Sequence, residues 1–108
     1  MAFLAIQKKL TNTMTSLYTT PANKSSIVFS GLICNIDATN KSTVEVDVQL
    51  TSGSTTTNLL KAVPIVYGGS LVLPKVVVPT NGVIKAAATS ADSSNKIDMT
   101  LSILEQDN

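Results

Sequence analysis

The sequence lacks the residues on which most enzymes rely. Its 108 residues include no histidine, no tryptophan and a single cysteine, Cys34. Without histidine there is no Ser–His or Cys–His nucleophile system and no imidazole ligand for a metal. One cysteine excludes an internal disulfide and a CxxC zinc site, and few cysteines are typical of synthesis in a reducing cytoplasm. We therefore expect a non-enzymatic protein with no metal and no cofactor.

Charge is also scarce. Charged residues make up 14% of the chain and the formal net charge is +1, against a usual charged share of about 25%. All the basic residues are lysine, so arginine, the residue favoured for bidentate recognition of phosphate, is absent. The longest apolar runs are far too short to span a bilayer. We expect neither nucleic acid nor a membrane as a partner.

Threonine, serine and valine take the place of the missing charges, and their pattern favours β-strands. The segments "TVEVDVQL" and "KIDMTLSIL" alternate apolar and polar residues, which predicts two half-buried strands of an antiparallel sheet. Residues 27–36 are apolar on both faces and predict a central strand that is covered on each side. Gly31 within it indicates a bulge or a close approach of backbones.

The connecting segments predict short antiparallel strands. "DATNKS" and the Asn81-Gly82 pair in "PTNG" are typical of hairpins, and "TSGSTTT" predicts a polar loop. Pro64, Pro74 and Pro79 lie in strand-like sequence, which favours edge strands or strand ends at these positions. Turn signals recur at the rhythm of a sandwich or small barrel. We predict an all-β fold, with residues 1–108 forming one antiparallel β-sandwich of jelly-roll or Ig-like type.

The N-terminal residues 1–14 allow two interpretations. Phe3, Ile6 and Leu10 are spaced for one helical face, but residues 11–20 give no support to a helix, so an extended segment is preferred. It is either an arm that reaches a neighbour or an edge strand of the domain's own sheet. The order of "MAFLAIQKKL", apolar and then basic, is the reverse of a secretory signal, and no targeting segment is expected.

The few oxygen-bearing clusters have ordinary explanations. Glu45 and Asp47 would share the polar face of one strand, where an acid–base pair is conceivable but a solvated face is the common outcome. Asn35, Asp37 and Asn40, or Asp92 and Asn95, could supply oxygens to a calcium ion, yet turn formation accounts for the same residues. No catalytic or metal-binding residue is predicted.

The order of segments carries a resemblance to a known family. "LYTTPANKSSIVFSGLICNI" is a strand ending in Leu-Tyr, a turn, and a long apolar strand ending in Cys-Asn; a valine-alternating strand, "GGSLVLP", a valine-rich piece and a terminal alternating strand follow. This order resembles small β-sandwich virion structural proteins of tailed bacteriophages, including marine and cyanobacterial phages. The resemblance spans residues 17–104 and departs from the pattern at "PTNG", where a Pro-Ala-Gly type of turn is more usual.

The resemblance implies a structural subunit of the virion, synthesised in the host cytoplasm. It implies a capsid decoration (cement) subunit, a homo-oligomer that docks by surface complementarity on other virion proteins, either major capsid or neck and tail proteins. A neck, collar or tail component is the alternative. The second alternative is an adhesive or carbohydrate-binding β-sandwich module, which would need Tyr18 and Tyr67 exposed on one face.

Two apolar segments are the candidates for partner contact. The first is the N-terminal segment, with Phe3, Leu4, Ile6 and Leu10. The second is the proline-edged piece over residues 65–78, with Ile65 and Tyr67, because another chain can add at an edge strand.

Overall fold

Nine β-strands and no helix make up the described part of the chain, which in this computed structural model comprises residues 2–38, 42–89 and 96–108. The described residues thus include no helix that could cross a membrane. The strands are β1 Ala2–Leu10, β2 Thr15–Thr19, β3 Lys24–Asn35, β4 Val44–Ser52, β5 Thr55–Ile65, β6 Ser70–Leu73, β7 Val76–Val78, β8 Val83–Ala88 and β9 Ile97–Asp107.

The strands form two antiparallel sheets that pack into a sandwich, as the sequence predicts. Sheet A has the order β1-β9-β3-β6, with β7 also paired to β3, and sheet B has the order β2-β8-β4-β5. Strands β6 and β7 follow each other along the same edge of β3 and act as one interrupted strand. When β6 and β7 are counted as one strand, each sheet alternates between a strand from the first half of the chain and one from the second half. This is the strand order of a jelly roll, an architecture of two Greek keys.

The period-two patterns place one face of each sheet in a shared core. In β9 the residues Ile97, Met99, Leu101 and Ile103 are buried, as predicted for "KIDMTLSIL". The valines of β4 are likewise buried, and two of them are paired with alanines of β8 in the same sheet. Side chains from both sheets meet in this single apolar cluster, and its removal from water is the main force holding the sandwich together.

Gly31 confirms the prediction of a bulge or close approach in β3. The register between β3 and β9 shifts between Val28 and Ser30, just before the glycine. A Cβ atom at position 31 would lie 2.9 Å from the Cβ of Leu73 and 3.0 Å from a methyl carbon of Leu101. Only glycine lets β6 and β9 flank β3 this closely.

Three sequence predictions about connections are wrong. Residues of the predicted polar loop "TSGSTTT" belong to the ends of β4 and β5, which meet in a tight hairpin at Gly53, whose φ is 61°. The Asn81-Gly82 turn joins β7 of sheet A to β8 of sheet B, so it links the two layers instead of closing a hairpin. The predicted "DATNKS" hairpin lies partly outside the described residues, and the strands on either side of it, β3 and β4, are in different sheets.

The prolines lie where their missing N–H groups do least harm, as predicted. Pro64 is in β5, the edge strand of sheet B, whose only partner strand is β4 in the described part of the chain. Pro74 separates β6 from β7, and Pro79 follows directly after β7. Proline therefore interrupts the edges of the sandwich and leaves the central ladders intact.

Candidate partner-binding surface

The outward side of sheet A carries a row of apolar side chains across four strands. Phe3 of β1 is opposite Leu104 of β9, which is opposite Ile27 of β3, which in turn is opposite Val77 of β7. The residues next to them in sequence turn into the core, so the period-two geometry directs this row away from it.

A second row lies further along the same side. Leu32 of β3 is opposite Val72 of β6 on one side and opposite Thr100 of β9 on the other. Phe29, two residues after Ile27, also faces outward, and its exposed ring joins the surface. The bulge between Val28 and Ser30 shifts the alternation by one residue and so brings Leu32 to this same side. We call this surface the apolar face and define it by seven residues: Phe3, Ile27, Phe29, Leu32, Val72, Val77 and Leu104.

The two phenylalanines form a stacked pair across β9. Their ring centroids are 6.1 Å apart and the ring planes are inclined by 21°, an arrangement in the attractive range for aromatic pairs. Phe3 nevertheless remains 75% exposed. The pair therefore forms an exposed ridge on the outer side of sheet A.

Four residues of the apolar face are largely accessible to water. Besides Phe3, the exposed fractions are 64% for Val72, 61% for Val77 and 50% for Leu32. Together with Phe29 they expose apolar surface on the order of 500 Å², towards the upper end for the largest patch on a monomer, where such patches are often functional. Sheet A therefore has its inner side in the core and an outer side suited to contact with a protein.

The prediction that β3 is covered on both faces is wrong on the outer side. Phe29 and Leu32 are exposed, and Ile36 just beyond the strand is exposed too. Apolar residues on both faces of a strand predict burial on both sides within one domain. In β3 one face is packed in the core and the other is exposed.

The six residues expected to make partner contacts do not form one surface. Phe3 lies on the apolar face, whereas Leu4 and Ile6 of the same strand pack against the core from the inner side. Leu10 and Ile65 are buried in the core, and Tyr67 is exposed in the connection between β5 and β6. The strand β1 that carries four of them pairs with β9 along its whole length.

The predicted contact segments include Phe3 and, within residues 65–78, the strands β6 and β7 that carry Val72 and Val77. The residues of the apolar face on β3 and β9 were not predicted, although the two-sided apolar pattern of residues 27–36 held a signal for those on β3. That pattern does not state which side of a strand a second layer will cover. That depends on the pairing of strands distant in sequence.

Tyr18 and Tyr67 do not form a sugar-stacking platform. Tyr18 is buried between the sheets, where its hydroxyl donates to Oε2 of Glu105 at 2.5 Å and lies 2.6 Å from Oγ of Ser26. Because a tyrosine has one hydroxyl hydrogen, Ser26 is the donor in the second bond. Burial, and next the bond to Glu105, raise the pKa of Tyr18 above its ordinary value. The three residues tie β2 of sheet B to β3 and β9 of sheet A.

Asp47 is engaged in structure and not paired with Glu45 for acid–base chemistry. Its Oδ1 accepts a 2.7 Å hydrogen bond from the backbone N–H of Ala62, and its Oδ2 is 3.3 Å from Nζ of Lys61. Ala62 has a φ of 51° at an irregularity in the pairing of β4 with β5. The carboxylate holds this bulge in place, which explains why a residue predicted to be solvated is buried.

Asn35 and Asp37 are brought together, as a turn. The Oδ1 of Asn35 accepts from the backbone N–H of Asp37 at 2.9 Å, and its Nδ2 donates to the carbonyls of Ser42 and Ile65, each at 2.8 Å. The carboxylate of Asp37 is 3.7 Å from Nζ of Lys96. The other residues considered for calcium, Asn40, Asp92 and Asn95, lie outside the described residues. Residues 2–38, 42–89 and 96–108 contain no group of three or more metal-ligating side chains.

The fold is an all-β sandwich of jelly-roll order, and a similar fold occurs in a solved virus structure. No family model matches the sequence, and no curated protein matches it. A chain in the structure of infectious bursal disease virus Gx strain is similar with a TM-score of 0.52 and 10% identity, over 96% of this chain and 29% of that one. At this identity the likeness shows the fold alone.

Two solved structures of a pentameric capsid protein isolated from metagenomic phage sequences are similar at a lower level. Their TM-scores are 0.46 and 0.45, with 16% and 17% identity, over 92% and 95% of this chain. The chain spans 59% and 61% of the length of those two proteins.

Proposed function

We propose that this protein is a non-enzymatic structural subunit of the virion of a tailed bacteriophage, and specifically a capsid decoration (cement) subunit. The observation that carries the proposal is the apolar face, an exposed patch on a rigid sheet that suits a protein built to contact neighbours. The family resemblance of the segment order supports it. The jelly-roll order of the strands supports it by analogy, since viral capsid domains commonly use this architecture.

The energetics of the apolar face are adequate for assembly. Burying about 500 Å² of apolar surface is worth roughly 12 kcal/mol per copy at 25 cal/mol per Å². The cost of immobilising a subunit is about 4–15 kcal/mol. Docking through this face alone is therefore near balance, and many equivalent contacts on a particle would make it stable.

The proposed partners are other virion proteins, either major capsid or neck and tail proteins, with synthesis in the host cytoplasm before docking. Phe3 and Tyr67 are proposed as direct contact residues because they are exposed. Leu4 and Ile6 pack against the core from the inner side of β1 and support Phe3, whereas Leu10 and Ile65 are buried and are not proposed as direct contacts. Removal of residues 2–10 is a poor test, because it would strip β9 of its partner β1; single changes on the surface are better.

The experiment is immunogold labelling of purified particles of the phage that encodes this chain, with mass spectrometry of the same particles. Even labelling over the head is the expected result. Labelling confined to the neck or tail would replace decoration by the alternative placement. Absence of the chain from the particles by mass spectrometry would refute the virion role.

A matched pair of variants sharpens the experiment. Phe3→Ser removes the exposed half of the aromatic ridge, and Thr56→Ser changes an exposed side chain on β5 of the other sheet. Added to particles that lack the chain, the Thr56→Ser protein should bind as the unchanged protein does, and Phe3→Ser should bind less. Equal binding of both would remove the apolar face from the docking contact.

A further inference from the structure

We infer that the apolar face binds the same face of a second copy of this chain, so that two sandwiches pair about a two-fold axis. The inference rests on the proposed function for its biological setting and deepens it by naming the neighbour at this face. The apolar face contacts a second copy of the chain, and the contact with major capsid or neck and tail proteins belongs to other surfaces of the paired subunits. It rests on three properties of the face, namely its area, its relief and its charge. It rests also on the composition of the chain segments outside the described residues.

The area of the face matches what a stable pair needs. Strands β3 and β9 contain 12 and 11 residues. With about 3.3 Å per residue and about 4.8 Å between strands, a face four strands wide covers on the order of 700 Å². A standard protein–protein interface buries roughly 800 Å² on each partner. Two copies in contact over sheet A would thus form an interface of ordinary size without any other contribution.

The relief of the face suits a copy of itself. The ridge of Phe3 and Phe29 stands next to a row of small side chains, because Ala5 of β1 is opposite Ser102 of β9, which is opposite Ser30 of β3. A two-fold axis that lies in the plane of the interface can set the ridge of each copy against the small residues of the other. Such an isologous contact uses one surface patch twice.

The charges of the face favour a copy over a partner of opposite charge. Among the described residues, the outward positions of sheet A hold one charged pair, Lys9 and Asp98, whose Nζ and Oδ1 are 2.8 Å apart at one end of the sheet. At the other end Lys24 and Asp107 form a second pair at 2.7 Å. The two pairs are neutral and the whole chain is +1. Lys75, exposed in the connection between β6 and β7, adds one positive charge at the edge of the face, which is only a weak repulsion between identical copies. A heterologous partner recognised by charge would need an unpaired sign on this face.

The chain's remaining segments do not suit the face as a cover. The ranges outside the described residues within the chain are "TNK" at 39–41 and "SADSSN" at 90–95. Both are polar in composition, and neither offers the apolar side chains that a cover for Phe3, Leu32 and Val77 requires. Neither internal range competes with a second copy, which matches the face in area, relief and charge.

The experiment measures the mass of the purified chain in solution by sedimentation equilibrium and light scattering, at about 1 to 100 µM so that a micromolar Kd is bracketed. The expected mass at the upper concentration is twice the 11.3 kDa of one chain. Leu32→Lys and Val77→Lys, changes near opposite ends of the face, should each reduce the mass to that of one chain. The matched control Thr56→Lys adds the same charge to the outer edge strand β5, and should remain a dimer.

Circular dichroism of every variant first confirms that the sandwich is folded, since the changed positions are exposed. A single-chain mass for the unchanged protein at about 100 µM would overturn the inference. A mass of two or more copies that both face variants leave unaltered would overturn it equally, because the contact would lie elsewhere. Particle labelling is independent of this result, so a monomer that still labels particles would remove the pairing and keep the proposed function.

Discussion

Replacing Asn35 by alanine should destabilise the protein more than any single exposed change. The side chain of Asn35 is fully buried and makes three hydrogen bonds, to the carbonyls of Ser42 and Ile65 and from the N–H of Asp37. Each bond is worth about 1 kcal/mol net, and a partner left buried without water costs more. We expect a loss of about 3 kcal/mol, a large share of a typical stability of about 5–15 kcal/mol.

The assay is urea unfolding followed by far-ultraviolet circular dichroism, because the chain has no tryptophan. All variants are compared at one protein concentration, since any association shifts apparent stability. Asn58→Ala is the matched control. Asn58 is exposed on β5 and accepts one 3.2 Å bond from Gln49, so its loss should change the free energy of unfolding by less than about 0.5 kcal/mol.

Asn35→Asp separates the hydrogen bonds from mere loss of volume. A carboxylate keeps the shape of the side chain but sets an acceptor against the carbonyls of Ser42 and Ile65 and buries a charge. At neutral pH it should therefore be at least as destabilising as Asn35→Ala, and it should recover stability as acid protonates the new carboxyl. An Asn35→Asp protein as stable as the unchanged one, or an Asn35→Ala protein within about 1 kcal/mol of it, would refute this account of the site.

Three further predictions concern other parts of the sandwich. Gly31→Ala should lower the free energy of unfolding by about 1–3 kcal/mol in denaturant, because the new methyl group meets Leu73 and Leu101. An unchanged denaturation midpoint would show that the strands shift to accommodate the methyl group. The pKa of Tyr18 is raised in the folded protein. The stabilisation that this gives is present in full below the unfolded pKa of about 10 and is lost as the pH rises from there through the higher folded pKa. Tyr18→Phe should weaken that alkaline loss in thermal melts from pH 8 to 11, and an identical loss would exclude Tyr18 as its source. Asp47→Ala should lower the melting temperature more than Glu45→Ala does, because only Asp47 bonds to the bulge at Ala62; equal effects would contradict that role.

The local features of the fold could be predicted because they depend on neighbouring residues. The alternation in β9 named its buried residues correctly, and the prolines marked edges and strand ends. The Asn81-Gly82 turn shows the limit: two residues specify that the chain reverses, but not whether the next strand joins the same sheet or the opposite one. That choice depends on which distant strands pair.

The candidate surface was harder to predict for the same reason. Phe3, Leu104, Ile27 and Val77 are far apart in sequence, and only the register of four strands makes them neighbours. Asp47 was predicted to be solvated because it alternates with buried valines, yet the bulge at Ala62 covers it. Periodicity describes one strand at a time, whereas both of these features belong to pairs of strands.

The position of β9 between β1 and β3 bears on how the protein is made. On the ribosome, β2, β4, β5 and β8 have all emerged before β9, so sheet B can form while synthesis continues. Sheet A cannot be completed during synthesis, because β1 and β3 are joined only through β9, which is synthesised after the other eight strands. Until β9 emerges, β1 has no partner and the apolar side chains of β3 have no complete layer behind them. Chains stalled before residue 97 would therefore be prone to aggregate, and the surface proposed for assembly would arise only after synthesis of the sandwich is complete.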